Sequence, residues 1–123
     1  MRVLKIITLL FAVMLSVVCV QARQNKFGVA DVRQVTLTAP TRIGDVLLPE
    51  GRYQVRHVME GENHIMFFKQ LDTPKPAEAR VKCNLVSLQA KAQRSEITYS
   101  LNASNERVLR SLTFGGDSAQ HVF

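Results

Sequence analysis

Four residues have the types and the spacing to hold a metal: His57, Met59, His64 and Met66. Residues two apart share a face of a β-strand, so His57 pairs with Met59 and His64 with Met66. The segment between them, Glu60-Gly61-Glu62-Asn63, has the composition of a tight turn. If it joins neighbouring antiparallel strands, Met59 lies opposite His64 and His57 opposite Met66. Opposed residues have Cβ atoms roughly 4.5–5.5 Å apart. Two imidazoles and two thioethers at that spacing suit Cu(I), because thioethers select soft ions and imidazole suits copper. Copper at His57, Met59, His64 and Met66 is the one cofactor that the residue types suggest. Without a metal, the two histidines form a pair that titrates near neutral pH. The same face continues through Tyr53, Val55 and Phe68, so it also reads as core, with the methionines filling gaps.

Other constellations are weaker. Cys83 lies between Val81 and Leu85 on an apolar face, which predicts a buried thiol. Asp117, Ser118 and His121 supply the residue types of a hydrolytic triad, but nothing nearby supplies an oxyanion hole. Neither a Gly-x-Ser-x-Gly elbow nor a His-Glu-x-x-His pair nor a phosphate-binding glycine loop occurs. Glu60 and Glu62 read as a solvated loop tip rather than an acid–base pair, and Asn102-Ala103-Ser104 as a turn rather than a glycosylation site. No catalytic residue is assigned, and the chain reads as a non-enzyme.

The elements that must position these residues are strands. After residue 22 no segment carries an apolar period of 3.6, whereas short alternating runs bounded by turn residues recur. Residues 34–39 alternate through Val35, Leu37 and Ala39. Residues 41–48 predict a hairpin about Gly44-Asp45, with Ile43 opposite Val46. Leu48-Pro49-Glu50-Gly51 predicts a turn. Further strands are expected over 52–59, 64–71, 79–85, 96–101, 107–114 and 119–123, with loops at 72–77 and 89–95. Ile97, Tyr99 and Leu101 are expected to face inward. The face of 107–114 is undecided, because Val108, Leu109 and Leu112 do not alternate. The sum is an all-β, single-domain antiparallel β-sandwich or partly open barrel of seven or eight short strands.

Residues 1–22 read as a cleavable signal peptide: Arg2 and Lys5, then an uncharged run over 6–20, then Val20-Gln21-Ala22. That run has 15 residues, short of the roughly 20 that span a bilayer. Cleavage after Ala22 leaves a domain over 23–123 with Cys83 as its single cysteine. Removing Arg2 and Lys5 lowers the net charge from +6 to +4. The remaining cations are scattered, with no basic and aromatic cluster for nucleic acid. A mature chain that does not span the membrane, exported to the periplasm or outside the cell, is the expectation. Its partner is unspecified beyond an envelope or cell-surface component, to whose anionic groups the mild positive charge gives a weak attraction.

The stretch 40–55, with Ile43-Gly44, Leu48-Pro49-x-Gly51-x-Tyr53 and Val55, resembles a motif of small exported proteins of soil bacteria of the acidobacterial kind. In them an LPAGxYxV turn joins two strands of a β-sandwich. Here Glu50 stands where alanine is usual. The stretch 102–123, ending Gly116-Asp117-Ser118-Ala119-Gln120-His121-Val122-Phe123, is similar to one such group. The resemblance implies a fold and a compartment and brings no catalytic residue. The expected function is a secreted or periplasmic binding or structural module, with a copper-binding periplasmic protein as the alternative.

Overall fold

The computed structural model describes residues 27–123. The signal peptide expected over 1–22 lies outside the described residues. Nine strands form: β1 (Val32–Leu37), β2 (Thr41–Ile43), β3 (Val46–Leu48), β4 (Gly51–Glu60), β5 (Asn63–Gln70), β6 (Glu78–Ser87), β7 (Glu96–Leu101), β8 (Arg107–Thr113) and β9 (Ala119–Val122). They hydrogen-bond in the order β1-β4-β5-β6-β9-β8-β2-β3, with β7 on the other side of β8. Every pairing is antiparallel except β2 with β8. The chain is therefore all-β, as expected, with nine strands in one unclosed sheet rather than seven or eight. Among the described residues no helix is long and apolar enough to cross a membrane.

Two tight hairpins fix the register. Ile43 faces Val46 across Gly44-Asp45, and Glu60 faces Asn63 across Gly61-Glu62. In both, glycine holds the first loop position with φ near +60°, where a side chain would be strained and where the favoured two-residue turns place glycine. Tyr53 ties the 48–51 turn to the core: its hydroxyl donates to the Pro49 carbonyl at 2.6 Å.

β6 joins the two halves of the sheet. Its first six residues pair β5 and its last four pair β9. Alternation along the strands turns Tyr53, Val55, Met66, Phe68, Ala79 and Cys83 inward, against Leu109, Leu112 and Phe114. Side chains such as Tyr53 and Phe68 each contribute about 1.5–3 kcal/mol by leaving water.

Two expectations need correction, and the undecided face of 107–114 is resolved. The first strand starts and ends two residues earlier, leaving Ala39 beyond it, while Val35 and Leu37 are buried as expected. In β8, Thr98 faces Ser111 but Tyr99 faces Leu109, so Arg110 is an extra residue. A bulge flips the parity of the residues beyond it, which is why Leu109 and Leu112 both reach the core. Leu101 is 65% exposed rather than inward. Its strand has run past the edge of the core and ends opposite Arg107.

Candidate metal centre

The 60–63 turn delivers the register that the spacing predicts. His57 lies opposite Met66, and Met59 opposite His64. Three of these four residues sit in or beside the core: His57 is 5% exposed, Met66 is 1% exposed and His64 is half-buried. Met59 stands apart at the hairpin end, 40% exposed. His57 Nε2 and His64 Nδ1 are 3.0 Å apart, so one ring donates to the other.

Two further donors arrive from strands remote in sequence. β5 pairs β6 so that His64 faces Cys83. β9 brings in His121, with Cys83 Sγ 3.9 Å from His121 Nδ1. One ligand atom from each of His57, Cys83 and His121 lies within 4.8 Å of the other two. All three residues are buried, Cys83 at 2% and His121 at 1% exposure. A trigonal metal with bonds of about 2.0 Å to nitrogen and 2.3 Å to sulfur wants donors roughly 3.5–3.7 Å apart. The widest donor separation here, within 4.8 Å, exceeds that by about 1 Å.

Aromatic rings wall the cluster. Phe27 sets its edge against His64 at 4.8 Å between centroids and against His57 at 6.1 Å. Phe114 stands edge-on to His121 at 5.9 Å. The segment carrying Phe27 is fixed through Gly28, whose carbonyl accepts the Ser118 amide at 2.8 Å. Gly28 has φ +77°, and a Cβ there would collide with Ser118 Oγ. From β1, Arg33 lies over the Phe114 ring at 5.8 Å and pairs with the fully buried Asp117 at 2.6 Å. This ion pair ties β1 to the turn that introduces the His121 strand.

The electrostatics of the metal-free cluster are those of neutral donors. Burial, then the charges of His57 and His64, hold His121 down to about 4. Burial, then the charge of His64, lowers His57 against the opposing pull of Asp31. Burial pushes the Cys83 thiol up to about 11. Forming the thiolate at neutral pH therefore costs about 5 kcal/mol, which only a cation at the sulfur would offset.

Cys83 was expected to be buried, and it is. Its part in a ligand set, and that of His121, escape a reading of the sequence. The one local signal is that β9 alternates with His121 on the same face as Ala119, an imidazole pointed into an apolar interior. The Asp117, Ser118 and His121 trio does not assemble: Asp117 pairs with Arg33, Ser118 Oγ donates to the Gly28 carbonyl, and His121 faces Cys83. No family model, curated protein or solved structure matches the chain.

Proposed function

We propose that the chain is a small exported, non-enzymatic binding module of the cell envelope that holds one copper ion at His57, Cys83 and His121. The observation that carries this reading is the convergence of two imidazoles and a thiol, all buried, within 4.8 Å of one another. The donor set is the trigonal His₂Cys type that suits copper. Charge favours the same ion. Cu(I) with one thiolate is neutral overall, whereas Zn(II) with one thiolate leaves a net positive charge in the interior, at an effective cost of several kcal/mol. Structural zinc also prefers four protein ligands. The signal-peptide reading of residues 1–22 and the resemblance of the 48–55 turn to exported β proteins support the compartment.

This reading keeps His57 of the sequence-derived set and replaces Met59, His64 and Met66 with Cys83 and His121. Native mass of the full chain after anaerobic incubation with Cu(I) tests it. One copper per chain, lost on denaturation and absent from Cys83→Ser, is expected. A wild-type chain that keeps no copper refutes the reading.

A further inference from the structure

The buried donors leave open how an ion reaches them, and exposure falls in one direction along the hairpin. Met59 is 40% exposed, His64 half-buried, His57 5% exposed, and Cys83 and His121 lie deepest. Met59 and His64 are opposed across β4 and β5, so their side chains leave the same face from Cβ atoms roughly 4.5–5.5 Å apart. His64 then meets His57 at 3.0 Å, and His57 belongs to the buried trio. A thioether at the surface, an imidazole at the rim and a thiol at the bottom form a graded series of soft donors. Thioether sulfur selects Cu(I) over harder ions.

We infer that Met59 and His64 are the loading port of the centre, receiving Cu(I) from a soluble carrier and passing it inward by ligand exchange. The inference rests on the copper reading of His57, Cys83 and His121. At each step one copper–donor bond forms as another breaks. The carrier's ligand is exchanged for Met59 Sδ, that for His64, and that for the buried set. Copper remains Cu(I) throughout and no electron moves. The Cys83 thiol proton is released to water as its sulfur takes the ion.

A port residue differs from a ligand in a measurable way, because it speeds entry and exit equally and leaves the affinity alone. The test follows Cu(I) transfer from its bathocuproine disulfonate complex to the full chain by loss of the chelate's colour, and the reverse transfer into excess chelator. Met59→Leu is expected to slow both directions by about tenfold, the rate cost of a barrier raised by about 1.4 kcal/mol. His64→Gln, which keeps a hydrogen-bonding group beside His57, is expected to slow both as well. Variants that load at the wild-type rate overturn the port and leave the centre standing. Variants that lose affinity make these residues ligands, which also overturns it. A wild-type chain that takes no Cu(I) overturns both readings.

Discussion

Cys83 Sγ lies 3.9 Å from His121 Nδ1, although the two residues are 38 apart in sequence. Two pairings create that contact: the last four residues of β6 pair β9, and β9 in turn pairs β8. The sulfur is therefore held by the sheet's long-range order rather than by a local motif. Replacing it separates packing from binding. Cys83→Ala should leave the fold intact at a cost of about 1 kcal/mol, typical of a small buried truncation. It should also abolish copper retention. Urea unfolding and metal content of the same sample check both halves.

Acid should destabilise the metal-free protein through His121. The folded chain holds this imidazole at about 4, against an ordinary value of 6.5. On acidification the unfolded chain takes the proton first, so stability is full above pH 6.5 and falls as pH drops from 6.5 towards 4. The loss from this group is about 3 kcal/mol. His57 is shifted the same way and adds to it. Denaturant midpoints from pH 7 to 4.5 should fall steeply for wild type and less steeply for His121→Leu, which removes the group that titrates. Equal slopes would contradict the assignment.

Much of this arrangement is legible in the sequence, and the limit is physical. The pairing of Met59 with His64 and of His57 with Met66 follows from a two-residue turn between alternating runs, both local features. So does Ile43 opposite Val46. Which strand lies beside β6 is a long-range matter that alternation does not encode, so Cys83 reads only as a buried thiol and His121 only as part of the Asp117, Ser118 and His121 trio. The bulge at Arg110 hides the face of β8 for a similar reason, since one extra residue breaks the period on which a strand's face is read. Leu101 fails differently: its face follows the alternation, but the core has already ended.

Arg33 should matter more than a surface cation. It partners a carboxylate that is fully buried, and its own side chain is 29% exposed. Removing one member of a buried pair costs about 3–5 kcal/mol. Water's access to Arg33 places Arg33→Met at about 2–3 kcal/mol. The exposed Arg52–Asp72 pair gives the control, because Arg52→Met should change stability by less than about 1 kcal/mol. Paired urea midpoints check the contrast.

Tyr53→Phe isolates the tie to the 48–51 turn. The ring stays buried and only the 2.6 Å bond to the Pro49 carbonyl is lost. The expected cost is about 1 kcal/mol, with copper retention unchanged because the turn lies at the other end of β4 from the metal donors. A larger loss, or lost copper, would mean that the turn positions more of the sheet than its own strand end.

The central claim is a sulfur and two nitrogens on one copper, and X-ray absorption at the copper edge of the loaded full chain tests it most directly. One sulfur and two imidazole nitrogens in the first coordination shell are expected, with the same shell in Met59→Leu and no bound copper to give an edge in Cys83→Ser. A shell of nitrogen and oxygen alone, or a sulfur that disappears in Met59→Leu, would contradict the account.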